Sequence, residues 1–283
     1  MRSLSIDLHC HSTESDGTLA PEAVVARAAA QGVSVLALTD HDTVDGLDAA
    51  AQEARHQGVA LVPGVEISTL WNGRELHVVG LNLDPAHPAL EAGLRENRAR
   101  RWARAEHMAE KLKKAGVADA DQVLLQAGGT VPTRTHFARF LLEQGVVREL
   151  QQAFDRYLKR GRRAWVGVDW MPMEEAVAHI RAAGGCAVLA HPLAYGFTGA
   201  WMRRVLTAFR DAGGEALEVC CGNTGAQRVR TSVGYALRFG LKGSVASDFH
   251  GPENPWIELG RLDPLPPTVT PVWVDWSSHH QPA

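Results

Sequence analysis

The feature that most constrains the fold is a regular alternation of helical segments, which end near a glycine, with short apolar runs. Residues 21–31 are rich in alanine and end at Gly32, and the apolar run 33–38 follows directly. The same order recurs after helical patterns at residues 44–57, 173–183, 201–212 and 227–239. Thr43 is the expected N-cap of the second helix. Short, uniformly apolar strands that alternate with helices indicate a parallel sheet with both faces buried.

The number of apolar runs predicts how this sheet closes. Seven strands are expected near residues 5–10, 33–38, 59–66, 75–82, 186–190, 216–221 and 243–247. Seven strands in a chain of this length favour a (β/α) barrel over a doubly wound open sheet. The absence of a Gly-x-Gly-x-x-Gly motif after the first strand also weakens a dinucleotide-binding fold. The proline-rich tail is expected to cover the surface and to add one last strand at 272–276.

The alternation stops between residues 88 and 165, where the sequence predicts a helical insertion. Helices are expected near 89–115, 136–144 and 149–159, so that residues 1–87 and 166–283 form the barrel. The insertion holds 16 Lys and Arg against 9 Asp and Glu, whereas the rest of the chain holds 13 against 23. A basic segment in an acidic chain suits a polyanionic substrate beside a cation-filled site. The alternative is an ordinary solvated helical face.

The composition is that of a globular protein, and its cysteines are expected to be reduced. Apolar residues make up 45% of the chain and charged residues 22%. The first ten residues lack the apolar stretch of a secretory signal, and no apolar run approaches the roughly 20 residues of a membrane helix. Four cysteines lie in apolar, strand-like stretches, which is typical of core thiols rather than of a disulfide framework. We expect a cytoplasmic protein with no membrane association and no obligate protein partner.

Histidines and carboxylates recur where the predicted strands end. Asp7, His9 and His11 share one face of the first strand, because side chains alternate along a strand. A single His-x-His pair is weakly specific, but the design repeats at the ends of the other strands. Six of the thirteen histidines are placed in this way, and four carboxylates accompany them. They are His9, His11, His41, His77, His191 and His250, with Asp16, Asp40, Glu66 and Asp248.

In a barrel, the carboxyl ends of the strands meet at one mouth. Each of these residues taken alone has an ordinary structural explanation, such as a loop carboxylate or a histidine bonded to the backbone. Their accumulation at one mouth does not, because clustered imidazoles and carboxylates are costly to bury unless cations compensate them. The pattern therefore predicts a metal site.

These residues resemble the motif set of the PHP (polymerase and histidinol phosphatase) family. The matching segments follow one another in the family's order across almost the whole chain, and they are Asp7-x-His9-x-His11, Thr39-Asp40-His41, Glu66, His77, His191 and Ser247-Asp248-x-His250. The resemblance implies an α/β fold, a distorted (β/α)7 barrel, with two to three divalent metal ions. It implies a first metal held by His9, His11, Glu66 and Asp248. It implies a second metal held by Glu66, His77 and His191, with Glu66 bridging.

A third metal is implied at Asp16, His41 and His250. Many members of the family have a histidine at the position of Asp16, so this chain departs from the pattern there. A carboxylate at this position still suits a hard cation. Nitrogen and oxygen ligands without cysteine are compatible with Mn²⁺, which is our expectation, and with Zn²⁺ or Fe²⁺.

The expected chemistry is phosphoester hydrolysis. Neighbouring cations lower the pKa of a bound water and neutralise the phosphoryl oxygens. Asp248 or His191 is expected to orient the nucleophile or to carry a proton, and Asp40 is a further candidate for either proton transfer or ligand orientation. Asp7 is a candidate for orienting a ligand.

Substrate contacts are expected from the insertion and from one barrel strand end. Arg134 and His136 lie in Val131-Pro132-Thr133-Arg134-Thr135-His136, a turn into a helix that suits a phosphate. Asn223 follows the strand near 216–221 and is a candidate polar contact. For any single basic residue the alternative is an exposed surface charge.

Within the family, the compact barrel with this insertion looks most like the 3′,5′-nucleoside bisphosphate phosphatases. The leading hypothesis is removal of the 3′-phosphate from a small nucleotide with two phosphates, such as adenosine 3′,5′-bisphosphate. The alternatives are a 5′-to-3′ exoribonuclease that trims short RNA and a histidinol phosphatase. A non-catalytic PHP module is the remaining alternative, although all the matching ligand positions are filled and no polymerase is attached.

Overall fold

The computed structural model describes residues 5–127, 130–222 and 224–276. The chain divides into two compact units. The barrel unit comprises the chain up to Leu94 and from Met171 onward, and the helical unit comprises Arg95–Trp170.

Eight strands form the sheet of the barrel unit. They are β1 (Ile6–Asp7), β2 (Val35–Leu38), β3 (Ala60–Trp71), β4 (Arg74–Leu81), β5 (Met171–Pro172), β6 (Cys186–Leu189), β7 (Ala216–Cys221) and β8 (Lys242–Ala246). Seven of them follow one another around the sheet in the order β1-β2-β3-β4-β6-β7-β8, and β5 pairs with β3 outside this path. The backbone N–H of Leu8 donates to the carbonyl of Val245 at 3.0 Å, which brings the first and last strands together. The prediction of an α/β fold built on a distorted (β/α)7 barrel is confirmed.

The prediction of a wholly parallel sheet is wrong, because β4 runs antiparallel to both β3 and β6. Asn72 and Gly73 join β3 to β4, with φ angles of 48° and 70°. Two successive residues with positive φ form the tight turn that matches the twist of a two-stranded hairpin. An Asn-Gly pair between apolar runs therefore reverses the chain where the alternation pattern alone implied a crossover.

Five helices cover the sheet, and their apolar faces form the core. They are α1 (Pro21–Ala30), α2 (Leu47–Gln57), α7 (Met173–Ala182), α8 (Gly199–Asp211) and α9 (Ala226–Phe239). All four residues of β2 are buried, as a strand between two helical layers requires. Each fully buried leucine in these layers contributes about 1.5–3 kcal/mol relative to an exposed one. The second helix begins later than expected, at Leu47, and Gly46 rather than Thr43 is its N-cap residue.

The tail of the barrel unit contains no further strand in its described part. Residues Val272–Asp275 form a 3₁₀ turn instead of the predicted strand at 272–276. The tail contacts the edge of β8, where the backbone N–H of Gly243 donates to the carbonyl of Thr270 at 2.8 Å and Lys242 pairs with Asp275. Pro271 follows and has no N–H, so it interrupts any further pairing.

The helical unit has its own apolar core. It contains most of α3 (Pro88–Lys114), followed by α4 (Gln122–Gln126), α5 (Arg134–Glu143) and α6 (Leu150–Ala153). A π-helical turn, Phe154–Leu158, continues directly from α6. The buried side chains that hold these helices together include Met108, Leu112, Phe137, Phe140 and Leu158.

The structure also bears on the expected core thiols and on the expected absence of membrane helices. All four cysteines are free thiols; Cys10, Cys186 and Cys220 are buried, and Cys221 is partly exposed. This agrees with the prediction of core thiols. In the described part of the chain, none of the helices has both the length and the apolar character that a bilayer crossing demands.

Candidate metal centre

The strand ends bring the predicted metal ligands to one mouth of the barrel unit. His9 and His11 follow β1, His41 follows β2, and Glu66 lies within β3. The antiparallel direction of β4 does not remove His77 from this group. Its register pairs His77 with Ser68, two residues beyond Glu66, so the first half of β4 lies beside the site. Asp16 lies in the loop between β1 and α1, and the other predicted ligands follow β6 and β8, namely His191, Asp248 and His250.

The first cluster consists of His9, His11, Glu66 and Asp248. The Nε2 atoms of the two histidines lie 3.0 Å apart. Glu66 Oε2 is 3.3 Å from each of these nitrogens. Asp248 Oδ1 is 3.6 Å from His9 Nε2 and 3.4 Å from His11 Nε2. A tetrahedral ion bound at about 2.0–2.1 Å separates its ligand atoms by about 3.3 Å. These four residues therefore have the spacing of a coordination shell.

The second cluster is centred on the other oxygen of Glu66. Glu66 Oε1 lies 2.8 Å from His77 Nδ1 and 2.9 Å from His191 Nε2. His41 Nδ1 lies 2.9 Å from Glu66 Oε2. Glu66 thus contacts the first cluster with one oxygen and the second cluster with the other. This is the arrangement of a bridging ligand. The sequence-based assignment placed His41 with the third metal only, whereas it also contacts Glu66.

The third cluster surrounds Asp16. Asp16 Oδ1 lies 3.3 Å from His250 Nε2, 3.8 Å from His41 Nε2 and 3.9 Å from His11 Nδ1. His11 and His41 thus have one ring nitrogen toward this cluster and the other toward Glu66. Three sets of possible ligand atoms lie within 4.8 Å of one another, and they belong to His9, His11 and Glu66, to His41, Glu66 and His77, and to His11, Asp16, His41 and His250. Their nitrogen and oxygen atoms suit Mn²⁺, Fe²⁺ or Zn²⁺, so the residues present fit the metal site that the sequence predicts.

The carboxylates and imidazoles of the site shift one another's pKa values. Burial alone would raise the pKa of Glu66, but His77, His41 and His9 lower it well below its usual range. Burial alone would lower the pKa of His250, but Asp16 and Asp248 raise it to about 10. Metal ions bind imidazole in its neutral form, so any proton on a ligand ring would have to leave before a metal binds there.

Glu218 belongs to the candidate site and was not predicted from the sequence. It is buried in β7, and its Oε1 accepts a 2.6 Å hydrogen bond from His9 Nδ1. Its Oε2 accepts a 2.6 Å hydrogen bond from the backbone N–H of His191. A carboxylate behind a metal-binding histidine fixes the tautomer and the ring orientation. The available signal was the glutamate in the middle of the apolar run Ala216–Cys221, where a lone charge is costly to bury.

Two proposed ligands have unusual backbone conformations. His191 has a φ of 28° and Asp248 a φ of 57°. Residues other than glycine rarely adopt such angles, and they persist where the surrounding structure enforces them. The Glu218 bond enforces the conformation at His191, and the backbone N–H of Asp248 donates to the carbonyl of His9 at 2.9 Å.

Asp40 holds the loop that carries Asp16. Its carboxylate accepts hydrogen bonds from the backbone N–H of Ser12 at 2.7 Å, and from the hydroxyls of Ser12 and Ser15 at 2.6 Å each. Gly17 closes this loop, because a Cβ there would lie 2.4 Å from the carbonyl oxygen of His11. These contacts favour the orienting role for Asp40 over proton transfer.

The carboxylate of Asp7 interacts with backbone groups, which are those of Gly260, Ser247 and His9. Its two oxygens accept from the backbone N–H groups of Ser247 at 2.8 Å and Gly260 at 2.9 Å. The regular β1 strand ends at Asp7, but His9 and His11 still face one cluster while Leu8 and Cys10 pack in apolar cores. Asp7 fixes the backbone of His9 and of the segment that leads to Asp248.

The predicted substrate residues lie elsewhere in the chain. Arg134 is the first residue of α5 in the helical unit. Nδ1 of His136 accepts a 3.0 Å hydrogen bond from the backbone N–H of Thr133, which caps the same helix. One ring nitrogen of His136 is therefore engaged by its own helix. Asn223 lies outside the described residues.

A pocket of about 330 Å³ opens beside the clusters in the barrel unit. Its wall includes His191, Asp248 and Glu218, together with Cys221 and Arg228. The side chain of Asp248 is 29% exposed, whereas that of Glu66 is 1% exposed. Asp248 can thus reach a molecule in the pocket, and Glu66 is enclosed by its histidines.

A barrel whose mouth gathers three histidine and carboxylate clusters has the architecture of a metal-dependent hydrolase. The model of the PHP domain family matches residues 7–162. The chain belongs to the PHP domain family, and with it to the metal-dependent phosphoesterases.

Similar proteins cover nearly the whole chain. A 5′-3′ exoribonuclease of Haemophilus influenzae is 48% identical over 94% of this chain and 97% of its own length. A 3′,5′-nucleoside bisphosphate phosphatase of Chromobacterium violaceum is 40% identical over 95% of each chain. The structure of an amidohydrolase from Chromobacterium violaceum, with bound SO4 and no metal, is also 40% identical. It superposes with a TM-score of 0.91 over 95% of this chain and 94% of its own.

Proposed function

We propose that this protein hydrolyses the phosphoester on the 3′ oxygen of a ribonucleotide that also carries a 5′-phosphate. The leading substrate is a nucleoside 3′,5′-bisphosphate such as adenosine 3′,5′-bisphosphate, with the 5′-monophosphate and inorganic phosphate as products. The observation that carries this proposal is the position of Glu66 between two clusters, within 2.9 Å of His41, His77 and His191. The similarity to the Chromobacterium violaceum phosphatase supports the choice of substrate.

The residues of the site divide between holding metal ions and acting on the substrate. His9, His11, Glu66 and Asp248 would hold one ion, and Glu66, His77 and His191 a second. Asp16, His41 and His250 would hold a third. Bound divalent ions, of which Mn²⁺ is our first choice, would activate water and neutralise the phosphoryl oxygens.

Asp248 and His191 are the groups placed to handle protons. Both line the pocket, and Nδ1 of His191 is buried with no hydrogen-bond partner among the described residues. A group that touches the reacting phosphate and has a free nitrogen or oxygen can orient the attacking water or protonate the leaving 3′ oxygen.

A second candidate function is 5′-to-3′ exoribonuclease activity. It is favoured by the Haemophilus influenzae relative, which is 48% identical, against 40% for the phosphatase. The two reactions are chemically close, because both break a bond between phosphorus and the 3′ oxygen of a ribose that has a 5′-phosphate. They differ in the other substituent of the phosphorus atom. In the bisphosphate the phosphorus bears no further group, and in RNA it bears the rest of the strand.

Product analysis tests this assignment. Purified protein with Mn²⁺ is incubated separately with adenosine 3′,5′-bisphosphate and with a 5′-phosphorylated oligoribonucleotide, and the products are resolved chromatographically. We expect the bisphosphate to yield adenosine 5′-monophosphate and inorganic phosphate. If the bisphosphate is inert while the oligoribonucleotide is shortened stepwise, the phosphatase assignment is wrong and the exoribonuclease replaces it.

We propose that Arg134 binds the 5′-phosphate. Cations at the metal centre would neutralise the reacting phosphoryl group, and the net positive charge of the insertion would attract a second anion. Arg134→Ala is expected to raise KM for the bisphosphate about ten- to a hundredfold, and to change KM for a monophosphate ester far less. Steady-state kinetics on both substrates measure the effect, with Arg148→Ala, an exposed arginine of the same unit, as the control. Equal changes on both substrates would exclude a 5′-phosphate contact.

A further inference from the structure

A row of four aromatic side chains leads away from the metal centre along the barrel unit. It begins at His191, whose ring centroid lies 5.4 Å from that of Tyr195. Tyr195 stacks on Phe197 at 5.5 Å, and Phe197 lies 6.2 Å from Trp201. Trp201 then meets Trp71 edge to face at 5.9 Å. We call Trp71, Tyr195, Phe197 and Trp201 the aromatic strip.

Trp71, Tyr195 and Phe197 pack in part against the core of the barrel unit, but the outer rings keep exposed surface. The hydroxyl of Tyr195 donates to the carbonyl of Ala190 at 3.1 Å and accepts from the backbone N–H of His77 at 2.9 Å, so Tyr195 supports the metal centre. Trp71 is the last residue of β3, and Trp201 lies in the first turn of α8. Both are only partly buried. Large aromatic rings at a hairpin tip and a helix start leave apolar surface in water.

Two exposed arginines lie against the outer end of the strip. The guanidinium of Arg204 is 4.9 Å from the ring centroid of Trp201 and 5.9 Å from that of Trp71. The guanidinium of Arg74 is 5.8 Å from Trp201. Both guanidinium groups are exposed, so their charges are available to an external anion.

We propose that the aromatic strip binds single-stranded RNA, namely the nucleotides that follow the scissile bond of an oligoribonucleotide held at the metal centre. Bases stack on aromatic rings regardless of sequence, and arginines beside the rings pair with the phosphates between the bases. The strip starts beside His191, a residue of the proposed catalytic site. A substrate strand that leaves this site would follow the strip. This inference rests on the exoribonuclease form of the proposed function, since a mononucleotide would end before reaching Trp201.

The test compares a long substrate with a short one. The double variant Trp201→Ala, Arg204→Ala is measured against wild type with a 5′-phosphorylated ten-nucleotide RNA and with adenosine 3′,5′-bisphosphate. KM for the RNA is expected to rise about tenfold or more, because one stacked base and one phosphate contact are lost, whereas KM for the bisphosphate stays unchanged. Trp201→Phe should retain most of the RNA affinity. Arg230→Ala, an exposed arginine of α9 outside the strip, is the charge control.

Binding in the absence of turnover separates this inference from the proposed function. Fluorescence anisotropy of a labelled RNA of the same length with hydrolysis-resistant phosphorothioate linkages, measured with Mn²⁺ present, should show about tenfold weaker binding to the double variant. This result stands even if the wild-type protein hydrolyses neither substrate. Equal binding of the RNA by wild type and double variant, or an equal loss on RNA and bisphosphate, would overturn the proposal.

Discussion

Replacing Glu66 with alanine is expected to abolish phosphoester hydrolysis while the barrel stays folded. Glu66 has one oxygen in each of two clusters, and its distances to five histidines range from 2.8 to 3.3 Å. Loss of a residue that orients a ligand typically costs 10- to 100-fold, so loss of a bridging ligand should exceed about 100-fold. Turnover of a bisphosphate at saturating Mn²⁺ measures the effect.

Two controls separate a catalytic from a structural defect in this variant. Far-ultraviolet circular dichroism and a thermal melt show whether the barrel remains intact. Glu66→Gln, which keeps the shape and removes the charge, should be nearly as inactive as Glu66→Ala. Substantial activity in both variants would mean that Glu66 does not bridge metal ions.

Replacing Glu218 with glutamine is expected to reduce metal affinity or turnover about 10- to 100-fold. Glu218 accepts two hydrogen bonds on two different oxygens, from His9 Nδ1 and from the backbone N–H of His191. A glutamine offers only one acceptor oxygen, so one of the two groups loses its partner. Either His9 reorients or the strained backbone at His191 relaxes, and both changes disturb the ligand geometry.

Metal titration by calorimetry and steady-state kinetics measure the effect of Glu218→Gln. The matched control is Glu215→Gln. Glu215 is a half-buried glutamate just before the same strand, and it faces Lys242 rather than the metal centre. A Glu218→Gln variant with the same metal affinity and turnover as the Glu215→Gln control would remove Glu218 from the machinery of the site.

The sequence predicts the barrel and the ligand candidates for the same reason. Short apolar strands must be buried on both faces, and residues at the ends of such strands meet at one edge of the sheet. Strand order then brings His9, His41, His191 and Asp248 together although they are distant in the sequence. The grouping follows from topology and requires no knowledge of side-chain conformation.

The features that the sequence did not predict depend on local turns and on partners distant in the chain. An Asn72-Gly73 turn reverses β4, and Pro271 prevents the expected last strand. Glu218 was overlooked because it lies in the middle of an apolar strand rather than at its end. Its importance follows from a hydrogen bond to His9, more than 200 residues earlier, which no local pattern encodes.

Metal content measured together with chelator sensitivity tests the central claim most directly. The protein is purified without added metal, analysed by elemental mass spectrometry, and assayed on a phosphate ester before and after treatment with a chelator. The three clusters predict two to three equivalents of divalent metal, loss of hydrolysis on chelation, and recovery when Mn²⁺ is restored. Protein that carries no divalent metal and hydrolyses the ester equally well with the chelator present would contradict the assignment of this site.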